Sequence, residues 1–95
     1  MINVIILVPV YNDWKSVSKL IEEINSVVSN LNCNFSIMII NDASTEQQSI
    51  YTSNLENLQS VQIINMKKNR GHAKCIALGL KHIFEKEEFD YVIPM

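Results

Sequence analysis

Three polar clusters follow apolar runs in this 95-residue sequence, and their residue types suit a ligand carrying both a flat polar ring and negative charge. The first is Pro9, Tyr11, Asn12 and Asp13, after Ile5-Ile6-Leu7-Val8. Proline cannot donate to a strand ladder and so limits pairing there, while Tyr11 offers its ring as a stacking surface for a base. The second is Asn41-Asp42-Ala43-Ser44, after Ile37-Met38-Ile39-Ile40. A carboxylate at a strand end accepts hydrogen bonds from an imide or amide, and the hydroxyls and backbone N–H groups that follow suit anionic oxygen. The third is the basic run Lys67, Lys68, Asn69, Arg70, Gly71, His72 and Lys74. Placed at a helix N-terminus, that run reads as an anion site, with a diphosphate as its natural ligand.

Each cluster also has a plainer reading. Asp13 is expected mainly to cap a helix, Asp42 taken alone is expected to do the same, and a basic run is often a solvated face. Two Asn-Asp lips at neighbouring strand ends shift the balance towards a site. His72 has no second histidine or carboxylate at ligand spacing, which argues against a metal there.

The elements that must position these residues are legible in the periodicity. Short, nearly continuous β-branched runs are the mark of strands covered on both faces, as in a parallel sheet. The first run gives one strand, and Phe35 to Ile40 gives a second after the Asn32-Cys33-Asn34 turn. Val61-Gln62-Ile63-Ile64 gives a third and Phe89 to Met95 a fourth. Between the first two strands, Val17, Leu20, Ile21, Ile24, Val27, Val28 and Leu31 recur at helical spacing. Ser44 and Gln47 are spaced as a capping box and predict a short or irregular helix, with Ile50, Leu55 and Leu58 as its thin apolar stripe. After Gly71 a further helix is expected, with Ala73, Ile76, Ala77, Leu80, Ile83 and Phe84 on its inner face and Gly79 allowing close approach to the sheet.

Strands alternating with helices predict right-handed crossovers. The expected fold class is therefore α/β: a Rossmann-like, three-layer parallel sheet of about four strands with crossover helices. A single domain over residues 1–95 is the count that length allows. A hydrophobic fraction of 47% with two glycines and two prolines excludes a disordered or fibrous chain. A net charge of −2 supplies no global attraction to nucleic acid, and none is expected as a partner. Cys33 and Cys75 lack zinc or redox spacing and read as free thiols in a reducing compartment, so the expected location is cytoplasmic. The chain stops while a strand is still apolar, which predicts truncation.

Missing motifs narrow the function. There is no GxGxxG after the first strand, no GxxxxGK[ST], and no glycine-rich arginine loop of the pyrophosphorylase kind. Acids at strand ends also suit a receiver-like regulator, a reading with no other support.

The order of the pieces resembles the nucleotide-binding half of family 2 glycosyltransferases, which have the GT-A fold. Val8-Pro9-Val10-Tyr11-Asn12 resembles their opening strand, and Ile39-Ile40-Asn41-Asp42-Ala43-Ser44-Thr45-Glu46 resembles their Val-Val-Asp-Asp-Gly-Ser-Thr-Asp segment. Asn69-Arg70-Gly71-His72 with Gly79-Leu80 resembles a third block, especially that of the polyprenyl-phosphate sugar transferases such as dolichyl-phosphate mannosyltransferase. The resemblance implies the N-terminal part of a GT-A fold and transfer of a sugar from a UDP- or GDP-linked donor to an acceptor, with polyprenyl phosphate among the candidates. It places Pro9, Tyr11 and Asn12 beside the nucleoside, Asp42 on the base with Ser44 next to it, and Arg70 and Gly71 along the base and diphosphate. Asn41 stands where the family has a first acid, and Ala43 where it has glycine.

The family also holds a divalent metal, Mg or Mn, through an Asp-x-Asp after the fourth strand, and its acceptor half and general base lie further on. Neither falls within these 95 residues, so no catalytic or metal-ligating residue is assigned, and the chain alone is expected to be inactive. The full-length enzyme would then work in the cytoplasm, or at the cytoplasmic face of a membrane if anchored. The alternative is a non-catalytic nucleotide-binding or interaction module of the same fold.

Overall fold

The computed structural model describes residues 1–50 and 54–95. In chain order they form β1 (Ile2–Val10), α1 (Trp14–Val28), β2 (Cys33–Asn41), β3 (Ser60–Asn65), α2 (His72–Lys86) and β4 (Tyr91–Pro94). The strands make one sheet in the order β3-β2-β1-β4, and every pairing is parallel. The chain thus winds outward from β1 to β3 and returns to the other side of β1, which puts a topological switch point between β1 and β4.

Side-chain alternation divides the core into two layers. Val4, Ile6, Val8 and Val10 of β1 join Phe35, Ile37 and Ile39 of β2 beneath Trp14, Val17, Ile21 and Val28 of α1. On the other face Ile5, Leu7, Met38 and Ile40 meet Cys75 and Ile83 of α2. Both faces of β1 and β2 are therefore dry, which is why these runs contain so few polar residues. The expected three-layer α/β architecture is present.

Several local expectations differ. The helix α1 begins at Trp14 and ends at Val28, so Leu31 lies beyond it, and both Val27 and Leu31 are exposed. Asp13 occupies the N-cap position and its carbonyl accepts from Val17 N–H at 3.2 Å, but its side chain makes no capping bond. The α2 face is centred on Cys75, Gly79 and Ile83, spaced four apart, rather than on Ala73 and Ala77, which are exposed. Gly79 is the cause. A Cβ built there would lie 2.6 and 2.9 Å from the two Leu7 methyls and 3.3 Å from Ile40 Cγ1, so the helix packs on its bare backbone and turns the alanines outward. Phe84 is also exposed, and packs edge-on to Phe89 with ring centroids 5.2 Å apart.

The helix expected after Ser44 is not found among the described residues, and residues 51–53 of that stretch lie outside them. The donors a first helical turn needs are already engaged. Asn12 Oδ1 accepts from Thr45 N–H at 2.8 Å and Glu46 N–H at 3.0 Å, and Asn41 Oδ1 accepts from Ser44 N–H at 3.0 Å. Further along, Asn25 on α1 grips the next turn, accepting from Asn57 N–H at 3.0 Å and donating to the Asn54 carbonyl at 3.2 Å. Leu58 is thereby buried against α1.

Candidate functional site

Each polar cluster lies at the carboxyl end of a strand or in the loop after it. The β1 end turns sharply at Asn12, whose φ is +64°, and the β2 end turns at Ala43, whose φ is +57°. Both are left-handed conformations that side chains rarely adopt. Ala43 stands where the resemblance expects glycine, and its positive φ gives the physical reason for glycine there.

The two turns are tied to each other. Asn12 N–H donates to Ser44 Oγ at 2.9 Å, and Asn12 Nδ2 donates to Thr45 Oγ1 at 3.0 Å. With the two bonds accepted by its Oδ1, Asn12 is a brace that fixes the 44–46 segment to the end of β1. Asn41 does the same between β2 and β3, donating to Asn65 Oδ1 at 2.9 Å while holding Ser44.

Asp42 is the centre of the arrangement. Its side chain is only 4% exposed. Oδ1 accepts from Arg70 N–H at 2.7 Å, and Oδ2 accepts from Gly71 N–H at 2.9 Å and from Asn69 Nδ2 at 3.1 Å. Asn69 Nδ2 also donates to the Asp42 carbonyl at 3.2 Å. Burial pushes the Asp42 carboxyl up, but the hydrogen bonds from Arg70, Cys75 and Gly71 outweigh it and hold the group below its ordinary value. Cys75 responds in the opposite sense: burial, then the hydrogen bond to Asp42 and its charge, push the thiol up to about 11. At neutral pH the pair is a carboxylate and a neutral thiol.

This changes how the basic run is read. The Arg70 and Gly71 amides, next to the N-terminus of α2, are already met by the chain's own carboxylate. Gly71 takes φ +92° and ψ 161°, a conformation open essentially to glycine alone, and it is this backbone that aims both amides at Asp42.

Pro9, Val10, Tyr11, Asp42 and His72 line a notch of about 80 Å³. Ligand pockets usually measure roughly 300–1,000 Å³, so the notch suits part of a ligand, such as the edge of a ring. Tyr11, 48% exposed, stands at its side. Of the residues expected at the site, Pro9, Tyr11 and Asp42 come together in the notch, and Gly71 joins them through its bond to Asp42. Asn12 instead lines a cleft with Trp14, Lys15 and Glu46, while Arg70 lines another with Asn65, Met66, Lys67 and Lys68. Ser44 serves the brace. Asn69 and His72, expected as members of the basic run, instead meet Asp42 and line the notch, while Cys75 was expected only as a free thiol. Helical spacing from Gly71 to Cys75 was the available signal, since it returns Cys75 to the sheet side of α2. Among the described residues no group of three or more His, Cys, Asp or Glu side chains is placed to hold a metal ion. No helix among them is long and apolar enough to cross a membrane.

A parallel sheet wound 3-2-1-4, with its polar loops gathered at the carboxyl ends of the strands, defines a Rossmann-like class of α/β domain, in which ligands bind beyond those strand ends. The sequence profile of glycosyl transferase family 2 matches residues 5–95, and the chain belongs to that family. It is 36% identical over 83 residues to an uncharacterized glycosyltransferase of Rickettsia felis, an alignment covering 85% of this chain and 13% of the relative. No solved structure matches it.

Proposed function

We propose that this chain is the donor-nucleotide portion of an inverting family 2 glycosyltransferase, which transfers a sugar from a UDP- or GDP-linked donor to an acceptor. The observation that carries the reading is the convergence on Asp42: loops from three strand ends meet there beside a notch lined by Pro9, Tyr11 and His72. In this reading the base stacks on Tyr11 beside the Pro9 backbone and presents an N–H to the notch-facing edge of Asp42. Asn12 and Ser44 hold the rim against it, and Arg70 and Gly71 border the base and the diphosphate. A Mg²⁺ or Mn²⁺ ion on the diphosphate would be held by residues outside these 95. The block Asn69-Arg70-Gly71-His72 with Gly79-Leu80 supports a polyprenyl phosphate as acceptor, and hence work at the cytoplasmic face of a membrane.

Thermal unfolding in the presence of nucleotide tests this. Because a ligand that binds only the folded chain stabilises it by about 2.7 kcal/mol at a hundredfold excess over Kd, UDP or GDP should raise Tm measurably, and more so with Mn²⁺ in the intact protein that carries the metal's ligands. The reading fails if neither nucleotide, at millimolar concentration with or without metal, shifts the transition.

A further inference from the structure

What the basic run brings to Asp42 is the Asn69 amide and the backbone of Arg70 and Gly71, so its cationic side chains are left for another purpose. Lys67, Lys68 and Arg70 line a separate cleft of about 510 Å³ with Asn65 and Met66, at the carboxyl end of the edge strand β3. Asn65 turns its Oδ1 to Asn41 Nδ2 at 2.9 Å, which leaves its own Nδ2 as a donor. Neither lysine nor the Arg70 guanidinium meets a partner among the described residues, and no acid among them lines the cleft. Asp42, which the same loop holds, is buried, and Glu46 lines the cleft of Asn12, Trp14 and Lys15 instead. Glu85, Glu87, Glu88 and Asp90 lie at the far end of α2 or beyond it, and a helix of 15 residues is about 22 Å long. That exceeds two Debye lengths at 0.1 M salt, so they do not cancel the field of the cations.

We propose that this cleft docks the chain on an anionic lipid surface, with Lys67 and Lys68 meeting headgroup phosphates and carboxylates and Lys74, in the first turn of α2, adding to the attraction. Lysines are flexible point charges, suited to mobile headgroups rather than to one phosphate held in a fixed fork. A nucleic acid is the other polyanion of this kind, but no aromatic side chain lines the cleft for a base to stack on. The docking is coupled to the notch through the loop itself. Asn69, next to Lys68, donates to Asp42, and Asp42 lines the notch. At about 3.8 Å per residue, lysines seated on the headgroups bring the notch close to the bilayer. A donor sugar there would lie beside an acceptor carried by the same lipid. That purpose rests on the donor-site reading, whereas the docking does not.

The experiment is co-sedimentation with vesicles of phosphatidylcholine alone or with phosphatidylserine as about a third of the lipid, without nucleotide, at low and at high NaCl. Only the phosphatidylserine vesicles should bind the chain, and high salt should release it. Each lysine near such a surface contributes about fivefold to partition, so Lys67→Gln with Lys68→Gln should weaken it by about 25-fold. Lys81→Gln with Lys86→Gln removes the same net charge elsewhere on α2 and should change it by less than about threefold. All four lysines are exposed, so both variants should keep the wild-type Tm. Equal binding to the two lipids, no binding to either, or equal loss in the two double variants would each overturn the docking. Inorganic phosphate that displaces more protein than NaCl of equal ionic strength would make the cleft a site for free phosphate, and a single-stranded RNA bound more tightly than the vesicles would make it a nucleic-acid site. The two readings fail separately. A chain that binds the vesicles but whose Tm ignores UDP and GDP loses only the donor site, and one that responds to nucleotide but not to the vesicles loses only the docking.

Discussion

Asp42 carries much of the local order, because a buried carboxylate is tolerated only when its oxygens are met. Asp42→Asn keeps the shape but replaces one acceptor oxygen with an amide that points its own hydrogens at N–H donors. With hydrogen bonds to charged groups contributing about 1.5–3 kcal/mol, the substitution should lower stability at pH 7 by an amount in that range. The pH dependence follows from the direction of the shift. Since the folded-state value lies below the ordinary 3.8, the unfolded chain takes up the proton first on acidification. The stability Asp42 contributes is thus fully present above about pH 4 and is lost as pH falls through the folded-state value. Urea unfolding at pH 7 and at pH 3 should show a wide gap between wild type and Asp42→Asn that narrows in acid. A gap independent of pH would mean that the carboxylate's charge is not what the loop amides hold. The residue could be picked out in the sequence as a polar strand end, but its partners could not, since Asn69, Arg70 and Gly71 lie 27 to 29 positions away and reach it through a glycine conformation that leaves no periodic trace.

At the scale of elements, the strands were legible because burial on both faces writes itself as unbroken apolar runs, and the helix α1 because Val17, Leu20, Ile21 and Ile24 share a face. The rotation of α2 was less so. Counting apolar residues puts Ala73, Ala77 and Phe84 inside, whereas the helix turns on the one residue with no side chain to count. The failed helix after Ser44 has a different origin: its local signal was real, but side-chain amide acceptors on Asn12, 33 positions from Thr45, and on Asn41, three positions before Ser44, compete for the same N–H groups. Gly79→Ala tests the α2 packing. Alanine gains up to about 1 kcal/mol in helix propensity, whereas overpacking typically costs 1–3 kcal/mol. The clash should win, because Leu7 is fully buried and its methyls have no free space to enter. A net loss of up to about 2 kcal/mol is expected in chemical denaturation. A stabilised Gly79→Ala would show that α2 sits further from the sheet than described.

For the whole molecule the informative quantity is the distribution of charge rather than its sum. The net charge is −2, yet Lys67, Lys68, Arg70 and Lys74, four of the eight Lys and Arg, lie together between the end of β3 and the first turn of α2. Glu85, Glu87, Glu88 and Asp90 gather at the other end of α2 and the start of β4, so these four acids lie apart from the four cations that follow β3. A diphosphate approaching the carboxyl ends of the strands therefore meets positive potential on a chain that is negative overall. Exposed charges more than about 10 Å apart are screened at 0.1 M salt, so the steering should weaken as salt is added while the stacking and hydrogen bonds at the notch persist. Nucleoside diphosphate binding measured from 20 to 300 mM NaCl should lose affinity steadily, and Lys67→Gln with Lys68→Gln should flatten that dependence while leaving affinity at high salt nearly unchanged. The uncharged nucleoside should show almost no salt dependence. Equal salt sensitivity for nucleoside and diphosphate would place the cations outside the path of the phosphates and leave the basic run as a solvated face.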